Sequence, residues 1–274
     1  MNTLELIKAA LREDMPSGDV TTESLAMKPK SGEALLKAKE DLVLSGANVF
    51  EETILFLEPQ ARIKWQFNEG DLIYKGQNIC SIEGDLLQIL KAERVALNFI
   101  GRLSGIATLT RKFVKEVENT SSKILDTRKT TPLLRSLEKR AVTHGGGYNH
   151  RFNLSDAVLI KDNHISLMGG ITAAVSRLRQ NCNLPVEVEV SNLEQLRECV
   201  GLQVERVLLD NMSNDLLKAA LEIIPEGMQT EASGNMNLER VKSVAQLGVD
   251  FISVGALTHS ADCADMSLLF DWGI

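Results

Sequence analysis

The hydrophobic and polar positions after residue 120 follow one repeated pattern. Short apolar runs alternate with segments whose apolar residues have helical spacing. The runs lie at 123–125, 157–160, 186–190, 206–209, 228–232 and 251–254, and the helical segments centre on 133–142, 171–179, 193–200, 215–224 and 238–247. This alternation predicts parallel strands joined by right-handed crossovers. Six such units favour an α/β barrel or near-barrel over a dinucleotide-binding sheet, because no GxGxxG motif follows the first strand.

The pattern before residue 120 is mixed. Residues 4–14 have the spacing of an amphipathic helix and lack the composition of a signal peptide. Residues 91–118 predict another helix, broken near 101–105 by two glycines. No apolar run approaches the length of a membrane span. The remaining predicted elements are strands around a turn at 33–45, a helix at 49–57, and short strands at 62–67, 79–82 and 86–89.

Composition narrows the class of protein. The chain has 274 residues, of which 44% are hydrophobic and 24% are charged, which is typical of a globular protein with one large or two unequal domains. The net charge of −7 argues against nucleic acid as the main partner. Four cysteines occur without CxxC or metal-ligand spacing. They predict reduced thiols in a cytoplasmic protein.

The acidity is uneven along the chain. From residue 126 to residue 161 there are seven Lys or Arg residues and three acidic residues. Arg135, Lys139 and Arg140 fall within a helical segment, where a solvated helix face is the simplest interpretation. The other basic residues of this stretch stand beside Thr, Gly and His at the ends of apolar runs. Such a cluster is suited to a small anion with several charges.

Charged, polar or glycine residues lie at or near the ends of the six apolar runs. In an α/β barrel these ends lie at one face, where active sites are built. Arg and Lys at the first two ends favour carboxylate or phosphate groups. Glu189 and Asp210 on later strands favour a divalent cation such as Mg²⁺, which takes oxygen ligands. The segments 232–235 and 254–257 are small and contain glycine, so their backbone N–H groups are candidates for holding a phosphate.

Several motifs occur in a fixed order along the chain: EDMPSGDVTT, AERVALNFIGRLSGIAT, DTRKTTPLLR, HGGGYNHR, VLIKDNHI, VEVEV, VLLDN, EASGN and FISVGALTHS. In this order they closely resemble the motifs of the quinolinate phosphoribosyltransferase family. Together they extend over essentially the whole chain. The resemblance implies a pentosyltransferase of NAD biosynthesis. This enzyme makes nicotinate mononucleotide, pyrophosphate and CO₂ from quinolinate and phosphoribosyl pyrophosphate, with Mg²⁺ as cofactor.

The resemblance also implies a fold and an assembly. The α/β fold would comprise an N-terminal α/β sandwich at residues 1–106 and an incomplete, open α/β barrel at 107–264. The tail at 265–274 would pack back on the sandwich. The protein would be a cytoplasmic homodimer in which Arg94 reaches into the partner's active site, with no membrane or nucleic-acid partner.

Carried over residue by residue, the resemblance implies three groups of site residues. The quinolinate group is Arg94, Thr127, Arg128, Lys129, His150 and Arg151. The phosphoribosyl pyrophosphate group is Lys161, Glu189 and Asp210, of which Glu189 and Asp210 would hold the metal directly or indirectly. The phosphate group is Ser233, Gly234, Asn235, Gly255 and His259. Some family members have Gly where this chain has Asn235, and Asn tolerates the left-handed conformation that such a loop needs.

Three alternatives have separate signatures. A sister protein of the same fold, linked to molybdate transport, would lack the intact KDNH stretch that this chain has at 161–164. A phosphosugar lyase or isomerase would use Lys161 to form a Schiff base. A carrier module would explain the segment 69–84, which resembles half of a biotinyl or lipoyl domain, but no lysine stands at a hairpin tip between matching halves.

Two histidines and a glycine trio complete the predictions. His144 is expected to end its helix, where a cation is favoured by the dipole. His164 is expected to orient the loop of Lys161 or to cap the next element. Gly145, Gly146 and Gly147 lack the Gly-Lys-Ser/Thr ending of a nucleotide-binding loop. They are expected to let the chain turn tightly and to direct His150 and Arg151 towards a dicarboxylate.

Overall fold

The computed structural model describes residues 2–26 and 28–271. They form two compact units that alternate along the chain. The first contains the residues up to Arg111, Pro132–Gly146 and the residues from Ala261 onward, and the second contains Lys112–Thr131 and Gly147–Ser260. The predicted boundary at 106/107 therefore differs from these units, which place Pro132–Gly146 with the N-terminal part. The last three residues of the predicted tail lie outside the described residues.

The first unit is built on a four-stranded antiparallel sheet. Its strands, in the order β12-β1-β5-β3, are β12 (Met266–Asp271), β1 (Ser31–Ala38), β5 (Asn78–Asp85) and β3 (Arg62–Trp65). A two-stranded ribbon joins β2 (Leu42–Val43) to β4 (Leu72–Ile73). The helices are α1 (Thr3–Asp14), α2 (Val20–Ser24), α3 (Ala47–Leu57), α4 (Leu86–Val117), whose last six residues belong to the second unit, and α5 (Arg135–His144).

The start of α1 shows why the local sequence specifies a helix. The Asn2 side chain accepts the Glu5 N–H, and the Glu5 carboxylate accepts the Asn2 N–H, so the two residues form a capping box. The buried side of this helix contains Ile7 and Leu11. On α3, Phe50 is fully buried and meets the ring of Trp65 on β3 edge-on at 5.8 Å between centroids.

Two predictions in this unit are wrong. Residues 86–89 are the beginning of α4 and not a strand, and α4 continues through Gly101 and Gly105 without a break. A Cβ atom at position 105 would lie 1.8 Å from the carbonyl oxygen of Asp262. The Gly101 carbonyl accepts the Ala264 N–H at 2.9 Å. These glycines allow a close approach between α4 and the chain at 262–264.

The second unit is a parallel sheet of six strands. In the order β6-β11-β10-β9-β8-β7, they are β6 (Lys123–Leu125), β11 (Phe251–Ser253), β10 (Gln229–Ser233), β9 (Arg206–Asp210), β8 (Val186–Val190) and β7 (Val158–Ile160). The helices are α6 (Asp162–Met168), α7 (Ile171–Arg179), α8 (Leu193–Gly201), α9 (Asn214–Leu221), α10 (Leu238–Ala245) and α11 (Ala256–His259). Because β6 and β7 are the two edges of this sheet, the barrel is open, as predicted.

Neighbouring strands are aligned so that the carboxyl ends lie at one edge. Ser233 on β10 is opposite Asp210 on β9, and Glu189 on β8 is opposite Leu208 on β9. Helix starts on this side are capped locally. Asn192, Ser213 and Asn237 each accept a backbone N–H from the first turn of the helix that follows. All six predicted strands are present within one residue of their predicted bounds.

Candidate active site

A cavity of about 890 Å³ lies at the carboxyl ends of the six parallel strands. Its wall contains every predicted site residue except Arg94, which is an exposed residue of α4. The predicted residues on the cavity are Thr127, Arg128, Lys129, His150, Arg151, Lys161, Glu189, Asp210, Ser233, Gly234, Asn235, Gly255 and His259. Residues that are dispersed over 133 positions of sequence therefore share one surface.

Lys161 and Glu189 form an ion pair across neighbouring strands. The Lys161 Nζ lies 2.9 Å from the Glu189 Oε2. The Lys161 backbone N–H donates to the His164 Nδ1 at 3.0 Å, so His164 fixes the turn from β7 into α6. Asp210 ends β9, where its Oδ2 accepts from the Asn211 side chain at 2.7 Å. Ammonium and carboxylate groups are thus held at adjoining strand ends, ready to contact a charged ligand.

The loop after β10 has the backbone geometry of an anion cradle. Gly234 has φ +93°, and a Cβ atom there would lie 2.2 Å from the Asn211 Oδ1. Asn235 follows in the left-handed region with φ +49°. The Arg240 guanidinium donates to the Gly234 carbonyl at 2.9 Å and so fixes the loop from behind. Gly255, after β11, is also confined, because a Cβ atom would lie 3.2 Å from the His259 Nε2.

Several cations of the cavity come from the segments after β6 and before β7. The Lys129 N–H donates to the Thr127 Oγ1 at 3.0 Å, and its carbonyl accepts from the Thr258 hydroxyl at 2.8 Å. The Arg151 guanidinium donates to the Ala157 carbonyl at 3.0 Å. Burial, and then the nearby charge of Arg128, lowers the pKa of Arg151. Two like charges at close range are stabilised by a bound anion, and a planar carboxylate suits a guanidinium best.

The sequence predictions missed two buried glutamates that face His150: Glu231 lines the cavity, and Glu187 contacts the same imidazole. His150 Nε2 lies 3.4 Å from Glu187 Oε2 and 3.5 Å from Glu231 Oε2. Arg206 Nη1 lies 3.5 Å from the same Glu231 oxygen. The signal was available as strand alternation, because Glu187 shares a face with Glu189 and Glu231 shares a face with Ser233.

Burial governs the electrostatics of this group. Burial, and then the charge of Glu187, raises the pKa of Glu231 to about 7. For His150, burial opposes the charged form, but the hydrogen bond with Glu187 and the charges of both glutamates outweigh it and raise the pKa. Single donor atoms of His150, Glu187 and Glu231 lie within 4.8 Å of one another, so these three residues could also hold a metal ion.

The glycine trio contributes in two ways. A Cβ atom at Gly145 would lie 2.5 Å from the Ala107 carbonyl oxygen and from Thr110 Cβ, so this glycine lets the end of α5 pack against α4. Gly146 has φ +92° and makes the turn that follows. The sequence predicts that the basic residues of α5 form a solvated helix face, and for Lys139 this prediction is wrong. Lys139 is buried, next to the buried Glu138.

Comparisons with known proteins identify the family of this chain. The family model described as quinolinate phosphoribosyl transferase, N-terminal domain, matches residues 19–104, and the corresponding C-terminal domain model matches residues 106–269. A Bacillus subtilis protein named probable nicotinate-nucleotide pyrophosphorylase (carboxylating) is 40% identical over 273 residues, which cover 98% of this chain and 94% of that protein.

Solved structures give the same result. The nicotinate-nucleotide pyrophosphorylase from Ehrlichia chaffeensis superposes with a TM-score of 0.95 at 40% identity and covers 99% of both chains. The Francisella tularensis protein of the same name has a TM-score of 0.94 at 38% identity, with 98% of this chain and 96% of that chain covered. This chain belongs to the quinolinate phosphoribosyltransferase family.

Proposed function

We propose that this protein is a quinolinate phosphoribosyltransferase of NAD biosynthesis. It converts quinolinate and phosphoribosyl pyrophosphate to nicotinate mononucleotide, pyrophosphate and CO₂. The observation that carries the proposal is the single cavity at the strand ends, which combines closely spaced cations with a glycine-containing anion cradle. One substrate has two carboxylates and the other has a phosphate and a pyrophosphate, so the cavity contains a group suited to each.

Quinolinate is held by the cations near β6 and β7. The Arg128 and Arg151 guanidinium groups supply bidentate donors for its carboxylates, and Lys129 supplies a third positive charge. Orientation of the ring brings its nitrogen towards the ribose carbon that will be attacked. Because the Ala157 carbonyl already holds the Arg151 guanidinium before substrate arrives, little reorganisation of this side chain accompanies binding.

Phosphoribosyl pyrophosphate is held by the remaining strand ends. The backbone of Ser233, Gly234 and Asn235, with Gly255 and His259, binds the 5′-phosphate through N–H groups. Lys161 stabilises the departing pyrophosphate, whose negative charge grows as the bond to the ribose C1 breaks. The carboxylates of Glu189 and Asp210 offset positive charge on the ribose in the oxocarbenium-like transition state.

The donor set on the cavity fits Mg²⁺. Glu189 and Asp210 offer carboxylate oxygens on neighbouring strands, and both already have a hydrogen-bonding side chain beside them. Glu189 and Asp210 would hold the ion directly or indirectly. When bound, Mg²⁺ supplies positive charge to the pyrophosphate oxygens. The ammonium group of Lys161 acts on the same leaving group.

Loss of CO₂ follows from the charge on the ring. After the ring nitrogen bonds to the ribose, the bond to the adjacent carboxylate breaks and its electron pair stays on the ring carbon. The neighbouring ring cation stabilises this pair until a proton is taken up. No covalent bond to the protein is needed.

We further propose a cytoplasmic homodimer in which the exposed Arg94 of one subunit completes the quinolinate site of the other.

The test is incubation of the full chain with quinolinate, phosphoribosyl pyrophosphate and Mg²⁺, with detection of nicotinate mononucleotide and CO₂. Lys161→Ala is expected to lower turnover by about 100-fold, because it removes charge from the leaving-group site. Lys218→Ala, at an exposed position of α9, is the matched control. A parallel assay replaces quinolinate with nicotinic acid as the substrate. Product from nicotinic acid but not from quinolinate would contradict the proposal.

A further inference from the structure

His150, Glu187, Glu231 and the partly exposed Arg206 form a charged group beneath the cavity, here called the His150 group. The Glu231 side chain is 0% exposed and that of Glu187 is 8% exposed. The Oε1 atom of each glutamate is buried without a hydrogen-bond partner in the described structure. Buried unpaired carboxylate oxygens are costly, and the neighbours of Glu187 on β8 are valines. The two glutamates therefore require a reason beyond filling the interior.

The imidazole of His150 is held by the protein at both ring nitrogens. Nδ1 accepts the backbone N–H of Arg151 at 2.7 Å. A proton on Nε2 therefore faces the two carboxylate oxygens at 3.4 and 3.5 Å. The His150 backbone N–H donates to Asp126 Oδ1 at 2.8 Å, which attaches the same residue to the end of β6. The ring is thus tied to β8 and β10, and the main chain is tied to β6.

These contacts control the placement of Arg151. Its backbone N–H is bonded to the imidazole, and its guanidinium is on the cavity beside Arg128. Glu187 also acts on Arg151 directly, because its charge raises the Arg151 pKa against the effects of burial and of Arg128. A shift of the imidazole would move the main chain from which the Arg151 side chain extends.

We propose that Glu187 and Glu231 are positioning residues of the quinolinate site, which fix the His150 imidazole through Nε2–H and thereby direct the Arg151 guanidinium at a substrate carboxylate. This inference rests on the proposed function for the identity of the ligand. It changes the role expected for His150. The imidazole is a support between the glutamates and Arg151, and the guanidinium makes the contact with quinolinate.

The test is a double-mutant cycle on quinolinate affinity, measured by calorimetry on the full chain. Glu231→Gln and His150→Ala are each expected to raise the quinolinate dissociation constant by about 10-fold, and the double variant by no more than the larger single effect. The dissociation constant for phosphoribosyl pyrophosphate should change by less than about two-fold. Glu138→Gln, a buried glutamate paired with Arg102 in the first unit, controls for general loss of stability. If the fold-increases in the dissociation constant of the two single variants multiply in the double variant, His150 binds quinolinate itself and the proposal is overturned.

A second measurement does not depend on the substrate. Long-range nitrogen–proton NMR of the protein with ¹⁵N-labelled histidine should show the neutral His150 ring protonated at Nε2, with His150→Gln identifying its signals. A proton at Nδ1, or loss of the Nε2–H signal when Zn²⁺ is added, would overturn the inference. If the wild-type protein shows the Nε2–H form but binds no quinolinate, the proposed function fails while the arrangement of the His150 group stands.

Discussion

Two histidines six residues apart in sequence, one in each unit, both lie beside glutamate, yet their pKa values shift in opposite directions. His144 ends α5, where its Nδ1 lies 3.5 Å from Glu69 Oε2 and 2.9 Å from Ser45 Oγ. Burial, and then the charge of Arg140, lowers its pKa. His150 faces two buried carboxylates, and its pKa is raised.

The difference arises from what else each carboxylate contacts. Glu69 accepts the backbone N–H groups of Gly46 and Ala47 at the start of α3, so its charge already caps a helix. Glu187 and Glu231 have no such backbone donors among their described hydrogen bonds. Both face the His150 imidazole, and Glu231 also has Arg206 and the Ser253 side chain beside it. Proximity to glutamate alone therefore does not set the charge of a histidine.

The His144 cluster also contains the residue types of a hydrolase triad without its geometry. In a working triad the two imidazole nitrogens face the serine and the carboxylate separately. Here both Ser45 and Glu69 face Nδ1, and Ser45 is buried. The first unit uses its histidine for packing, and the second unit uses its histidine in the cavity wall.

The largest expected effect is a loss of quinolinate binding in the second unit, which contains the cavity. Arg128→Lys should raise the quinolinate dissociation constant by about 100-fold, because a lysine cannot replace a bidentate guanidinium contact. Binding of phosphoribosyl pyrophosphate should change only a few-fold. Arg140→Lys, next to His144, is the matched control and should bind both substrates normally. Equal losses for both substrates in Arg128→Lys, measured by calorimetry, would remove Arg128 from the quinolinate site.

An intermediate effect is expected in the pH dependence of stability. The native pKa of Glu231 is raised from 4.5 to about 7, so the native state retains a proton that the unfolded chain releases. The free energy of unfolding should therefore fall as pH rises from about 4.5 to about 7.

Glu231→Gln removes this dependence. The difference in unfolding free energy, variant minus wild type, should increase by on the order of 2 kcal/mol as pH rises from 5 to 8, because only the wild-type protein loses stability. Urea denaturation at each pH measures this difference. Glu138→Gln serves again as the control for a buried glutamate. A constant difference between variant and wild type across this pH range would show that Glu231 is ionised throughout.

The smallest effect is expected at His144, and it has the opposite sign. Its native pKa is lowered, so stability is complete above the ordinary pKa of 6.5 and falls as pH decreases below it. In His144→Gln, the unfolding free energy should fall less as pH decreases below 6.5, as measured by urea denaturation, and substrate affinity should be unchanged. The change should be smaller than at Glu231, because the His144 side chain is partly exposed. Weakened quinolinate binding in His144→Gln would show that His144 contributes to the substrate site.

Sequence reasoning succeeded where one local pattern determines the structure. The valine-rich and leucine-rich runs became strands, and the charged residues that end them converged because parallel strands share one edge. It failed where distant segments decide. The sequence predicts a helix break at Gly105, whereas the role of this glycine is set by the Asp262 carbonyl, 157 positions away. The sequence does not single out Glu231, because its partners His150 and Arg206 come from other strands and loops.

The pairing of β12 with β1 has a consequence for synthesis on the ribosome. Residues 266–271 complete a sheet whose other strands end by residue 85, and the whole of the second unit is translated in between. Until then β1 has one open edge, with backbone groups free to pair with another chain. The nascent protein therefore has to keep an unfinished sheet from aggregating while the 180 residues at 86–265 emerge, and its dependence on chaperones should be greatest in that interval.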